Sequence, residues 1–209
     1  IQNFPLVCRI CVPEPDFNEY LYAAATEELA GIQVPERAVW LRTLNLEMAR
    51  LTSYLMWIGG QTAAFGMGTI GQWTLTMRDF MLDLFEELSG GRIYHMYIVP
   101  GGVRGDVPKD WFNHVLSTLK DVEKVLSDVE LVLFNNVVFK MRAKGLGVIT
   151  PDMVDHFGIT GPIARAANVK RDLRKDRPYL VYDKLDFEVV TGESEGVDSD
   201  AYGRTRCRA

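Results

Sequence analysis

The stretch from Leu51 to Met77, LTSYLMWIGGQTAAFGMGTIGQWTLTM, runs for 27 residues without a charge. That is long enough to cross a bilayer if it formed one apolar helix. It does not read as one. Gly59, Gly60, Gly66, Gly68 and Gly71 interrupt it, together with Gln61, Gln72 and several threonines, and glycine is a poor residue for a helix interior. The stretch is expected to hold the end of one helix, a close-packed glycine-rich turn and the start of another, both buried by protein on most sides.

The pattern outward from this stretch is helical. Pro35-Glu36 suits a helix start, with proline where no N–H is needed and an acid in the first turn. From there Trp40, Leu44, Met48, Leu51, Leu55 and Ile58 recur at helical spacing, and Val39, Leu46 and Trp57 mark a second apolar face. A helix apolar on two faces belongs in the middle of a bundle. Arg42, Glu47 and Arg50 lie on it and are read as structural ion pairs, Glu47 and Arg50 being neighbours at i,i+3. An earlier helix is expected from Asp16, as its cap, to Gly31. A later one should run from Gln72 to Leu88, burying Trp73, Met77, Phe80, Leu84 and Leu88 and ending at Gly90-Gly91.

Ile93 to Val99 reads as extended, with a turn at Pro100-Gly101-Gly102. After Asp106, Phe112, Val115, Leu119, Val122, Leu126, Val129 and Leu133 alternate at spacings of three and four, the seam of a long helix contact. Beyond Gly145 the texture changes. A short helix is expected over Asp152 to Phe157, a strand over Leu185 to Thr191, an acidic loop over Glu193 to Asp200, and a final helix capped by Ser199 or Asp200. The expected fold is mainly α, a helical bundle with a small α+β portion. Residues 1–145 form its core of four main helices, and residues 146–209 an irregular segment of the same domain. The chain begins at Ile1 and its last helix stops before completing an apolar face, so both borders are expected inside a larger fold.

A length of 209 residues with 47% hydrophobic and 24% charged residues excludes a disordered or low-complexity chain. With 23 Lys+Arg against 28 Asp+Glu, the net charge of -5 lacks the basic field that nucleic-acid binding needs. Cys8, Cys11 and Cys207 are an odd set, so no disulfide framework is expected and a reducing, intracellular setting is. Ile1 to Val7 is too short for a signal peptide. Cys8 and Cys11 are weak metal candidates, because a closed tetrahedral site needs more thiols than Cys207 can add. His114 and His156 read as surface and helix-end residues. His95 stands among Arg92, Tyr94 and Tyr97 in a segment that should be partly buried, as either a functional or a hydrogen-bonded structural histidine. There is no phosphate-binding glycine loop and no nucleophile elbow. The residues alone point to a mostly helical domain without an evident active site of its own.

Several longer strings are less generic. ELAGIQVPERA over residues 28–38, Arg42, Glu47-Met-Ala-Arg50-Leu, Leu82-Asp-Leu-Phe-Glu86, Gly91-Arg92, Tyr97 and Gly101-Gly-Val103 resemble the D subunit of NADH-quinone oxidoreductase, respiratory complex I. The resemblance continues through Gly145-Leu-Gly-Val-Ile149, Gly158-Ile-Thr-Gly161, Arg165-Ala166 and Asp172-Leu-Arg174-Lys to Pro178-Tyr179 and Tyr182-Asp183, in one order over nearly the whole chain. Large subunits of membrane-bound nickel-iron hydrogenases share the Pro-Glu-Arg and Arg, Glu, Arg framework and are the alternative. A non-catalytic scaffold subunit is a third reading.

The resemblance implies a peripheral-arm subunit on the cytoplasmic face of the cell membrane, near the membrane arm. Its partners would be an iron-sulfur small subunit and other peripheral-arm subunits, with quinone as substrate in a cavity between the two chains. NAD(H) and the iron-sulfur clusters would be held by partners and none by this chain. Arg9 and Tyr94 fall where the family carries an arginine and a histidine beside the terminal cluster. A tyrosine stays neutral near pH 7 where a histidine takes a proton, so either proton coupling at that cluster differs or His95 takes the role. The family tyrosine that bonds the quinone head falls at Val12, and an acid of the same cavity falls at Ala64; neither side chain can donate or accept a hydrogen bond. The hydrogenase alternative requires Arg-x-Cys-x-x-Cys, and Arg9-Ile-Cys11 is followed by Glu14 instead of the second cysteine.

Overall fold

A computed structural model describes residues 2–207. Two units meet in sequence at Leu126 and Ser127, so the boundary expected at 145/146 falls inside the second. In the first unit, α1 (Phe4–Val7) precedes α2 (Pro15–Ala30), α3 (Glu36–Ala64) and α4 (Gly68–Ser89). The antiparallel hairpin β1 (Ile98–Val99) and β2 (Gly102–Val103) follows, then α5 (Trp111–Val129), whose last residues belong to the second unit.

The uncharged stretch is a helical hairpin. Helix α3 ends at Ala64, the chain turns through Gly66 at φ +78°, and α4 starts at Gly68. Among the described residues no helix is long and apolar enough to cross a membrane. Gly59 and Gly60, expected in the turn, lie inside α3. A Cβ on Gly71 would come within 2.9 Å of the Gly59 carbonyl oxygen, so the two backbones cross here in close contact. This crossing sets the rotation of α4. Gly71 and Thr74 face inward with Ile70, Met81, Leu82, Leu84 and Phe85, while Trp73 and Phe80, expected in the core, are 42% and 49% exposed.

The first core joins α3, α4 and α5 through Met48, Leu55, Met81, Phe85, Trp111, Val115 and Val122. Trp111 is fully buried and its indole N–H donates to the Leu84 carbonyl. Phe112, expected to open the α5 seam, is exposed instead, because its neighbour Trp111 fills that place. Helix α2 ends as expected at Gly31, in the left-handed region at φ +65°. Asp16 does not cap it. It lies buried in the first turn, where its carboxylate serves other groups.

In the second unit a π-helical turn, Glu130–Phe134, precedes α6 (Val137–Ala143), α7 (Pro151–Phe157), α8 (Gly161–Ala166), α9 (Leu173–Asp176), a 3-10 turn Tyr182–Lys184, α10 (Gly192–Glu195) and α11 (Ala201–Arg206). Phe134, Phe139 and Tyr202 pack edge-on and tilted around one another. Asp200 caps α11 as expected, accepting from the Gly203 N–H. The strand expected over Leu185–Thr191 does not form: among the described residues the only sheet is the β1–β2 hairpin, and an alternating segment without a ladder partner has nowhere to place its N–H and C=O groups.

The crossing predicts a contrast between two glycines of the hairpin. Gly71→Ala should destabilise the protein by about 1–3 kcal/mol. Gly60→Ala, whose Cβ would meet nothing within 4 Å, should be neutral or stabilising. Thermal unfolding of both variants checks this.

Candidate functional site

The polar groups of the first unit gather where α2 faces the segment from His95 to Gly101. Asp16, Glu19, Ala23 and Glu27 form the buried stripe of α2, spaced three, four and four residues along one helix face. Three of the four are acids, and each holds part of the segment. Asp16 lies 2.9 Å from His95 Nδ1 and accepts from Asn45 Nδ2 at 2.6 Å. Glu19 accepts the Met96 N–H at 2.8 Å and the Ile98 N–H at 3.3 Å. Glu27 accepts the Gly101 N–H at 2.8 Å and pairs with Arg42.

His95 is 3% exposed and stacks on Phe85 with ring centroids 3.9 Å apart. Both ring nitrogens face acceptors, Nδ1 the Asp16 carboxylate and Nε2 the Arg92 carbonyl at 3.1 Å. Two acceptors call for two donors, so the geometry selects the imidazolium. Burial works against that charge, but the Asp16 and Arg92 bonds outweigh it and raise the pKa. For Glu27, burial would raise the pKa, and the Arg42 and Gly101 bonds more than reverse this.

Arg42 is 1% exposed; its guanidinium binds both Glu27 oxygens and donates to the carbonyls of Val99 and Gly102. Its partner is therefore on the preceding helix, a residue that the sequence pattern does not single out. Glu47 and Arg50 do pair, at 3.2 Å. Glu19, Asp16 and Asn45 are likewise site residues that sequence reasoning misses. The available signal is a set of acids falling in phase with buried Ala23 on α2.

The structure brings Arg9 and Tyr94 together, with the guanidinium 4.5 Å from the ring centroid. Beside them, Phe4, Pro5, Met96, Val99, Pro100 and Arg104 line an open, mostly apolar groove of about 570 Å³. Val12 is 46% exposed in the loop before α2, and Ala64 is the exposed last residue of α3. Cys8 is buried, contacts Arg9, and has its pKa raised chiefly by burial, the opposite of a reactive thiol. Cys11 is half-buried. Among the described residues no group of three or more His, Cys, Asp or Glu is placed to hold a metal.

Residues 64–209 match the family model described as the 49 kDa subunit of respiratory-chain NADH dehydrogenase. The chain belongs to this family. It is 44% identical over 203 residues to the D subunit of NADH-quinone oxidoreductase from Thermosipho melanesiensis, covering 97% of this chain and 54% of that one. It is 35% identical to the D subunit of F(420)H(2) dehydrogenase from Methanosarcina mazei, covering 100% of this chain and 54% of the relative. A chain in the structure of the membrane-bound sulfane sulfur reductase, an archaeal respiratory membrane complex, is 46% identical with a TM-score of 0.88, covering 91% of this chain and 51% of that one. The chain thus spans about half the length of these family members. The helical fold expected from the sequence is the family's fold.

Two outcomes test the site's electrostatics. Arg42→Met leaves the buried Glu27 carboxylate without its cation, with the Gly101 N–H as its remaining donor, and should cost about 3–5 kcal/mol in thermal unfolding of the full-length subunit; Arg37→Gln, at an exposed pair with Asp106, should cost far less. His95 has a raised folded-state pKa, so its contribution is complete below its ordinary value of 6.5 and is lost as pH rises through the folded value. Above 6.5, a His95→Asn variant should therefore show a flatter dependence of melting temperature on pH than the parent.

Proposed function

We propose that this chain is the central part of an electron-transferring subunit in a respiratory oxidoreductase complex. With an iron-sulfur small subunit it walls the cavity where quinone is reduced, at the cytoplasmic face of the cell membrane and near the membrane arm. Electrons originate at NAD(H) or a related donor on other peripheral-arm subunits and reach the cavity through the small subunit's cluster. The observation that carries this reading is the contact of Arg9 with Tyr94, the two positions that the family resemblance sets beside the terminal cluster. A guanidinium over a ring face keeps its charge while presenting its edge to an electron-rich group.

Reducing a quinone adds two electrons and two protons, so its carbonyl oxygens need donors. Val12 and Ala64 supply none. Quinone is then held by groups other than those the family uses, or the acceptor is one whose reduction does not depend on carbonyl recognition. The second reading is favoured by the 46% identity to a chain of the sulfane sulfur reductase complex, since divalent sulfur accepts hydrogen bonds weakly.

The purified complex, reduced by its donor and offered quinones of several ring types and an organic trisulfide, separates these readings. Quinol formation, with a tighter quinone KM in Val12→Tyr, is the expected result. Sulfide release without quinol supports the second reading. Reduction of neither acceptor by a complex with intact clusters would leave a scaffold subunit. Bound nickel in the full-length subunit would restore the hydrogenase alternative.

A further inference from the structure

The buried groups between α2 and the 95–101 segment do not balance in charge. Asp16, Glu19 and Glu27 are carboxylates; His95 and Arg42 are the cations. Asp16 takes the imidazolium and Glu27 takes the guanidinium. Glu19, 0% exposed, is left with the backbone N–H groups of Met96 and Ile98. One negative charge is in excess, and it falls on the carboxylate without a cation of its own.

We propose that Glu19 is a buried proton-binding site whose occupancy sets how firmly the Met96–Ile98 backbone is held against α2. Proton uptake from solvent converts the Glu19 carboxylate to the acid and brings the five-group cluster from one net negative charge to zero. The groups that face Glu19 are Asp16 on its own helix, His95 on the segment and Cys8 on the turn after α1. Burial, then Asp16, push its pKa up, the two N–H bonds and His95 offset part of this, and the result is about 7.

The segment that Glu19 holds is strained. Met96 has φ +45°, a left-handed conformation that L side chains rarely adopt, and its N–H is one of the two that end on Glu19. Met96 also lines the open groove with Val99 and Pro100, and Tyr94 nearby carries the contact with Arg9. Opening the segment admits water to Glu19 and returns its pKa toward the ordinary carboxylate range. The closed form therefore binds the proton more tightly than the open form, so protonation favours closure and deprotonation favours opening. Closure is fully supported below an ordinary value of 4.5 and loses that support as pH rises to about 7.

Proton binding at Glu19 stands apart from the electron-transfer reading, and its test does not use turnover. Amide hydrogen exchange on the full-length subunit in its complex, corrected for intrinsic rates, reads the Met96 and Ile98 protection factors. They should fall about tenfold or more between pH 5 and pH 8, and clearly less in Glu19→Gln, where the His95 contribution is left to titrate. Infrared titration of the parent complex keeps the test decisive should that variant not fold: a buried carboxylic acid band should disappear with a midpoint near 7. Protection factors independent of pH in the parent, the same pH dependence in Glu19→Gln, or the lack of a carboxylic acid band titrating between about pH 5 and 8 would each overturn the proposal.

Discussion

The guanidinium of Arg42 joins three parts of the first unit. It stands on α3, binds a carboxylate of α2 through Glu27, and takes the carbonyls of Val99 and Gly102 on either side of the hairpin turn. Five N–H donors in a planar fork can meet such a set, and a lysine ammonium cannot. Without it the buried Glu27 carboxylate would lose its cation and keep the Gly101 N–H. The hairpin is only two residues per strand and is too small to hold itself, so its place against α2 and α3 depends on this side chain together with the bonds of Ile98 and Gly101 to Glu19 and Glu27.

Around that centre the fold uses two kinds of contact. The α3–α4 crossing is apolar and tight, made by removing side chains at Gly59 and Gly71. The contact of α2 with the segment leading into the hairpin is polar, made by side-chain carboxylates accepting backbone N–H groups. The first needs no charge and tolerates no added methyl. The second tolerates irregular backbone, including the positive φ of Met96, because carboxylates can reach N–H groups that no ladder would satisfy.

The helices are legible in the sequence because their signals are local. Pro35-Glu36 and Gly31 bracket adjoining helices, and Asp200 caps the last one, each through bonds within a few residues. The site is less legible because its pairs span long sequence separations: Arg42 finds Glu27, and His95 finds Asp16 across 79 positions. Asp16 illustrates the difficulty. An acid at a helix start reads as a cap, and only the fold shows its carboxylate turned inward to Asn45 and His95. Trp73 misleads for a related reason: hydrophobic spacing identifies α4, but the glycine crossing chooses which face it buries. Of the family positions, the nearness of Arg9 to Tyr94 is seen directly, whereas Val12 and Ala64 are simply exposed.

Asp200 carries a consequence for synthesis. One oxygen caps α11 and the other accepts the Gly145 N–H, 55 positions earlier. The contacts that organise α2, α3, α4 and the hairpin are all available once residue 126 has left the ribosome, and domains fold as units in the order they emerge. The second unit has no such freedom. Its loop after α6 must wait for Asp200, 55 positions on, to be translated before its closing bond can form, so the two units are completed at separate moments of translation.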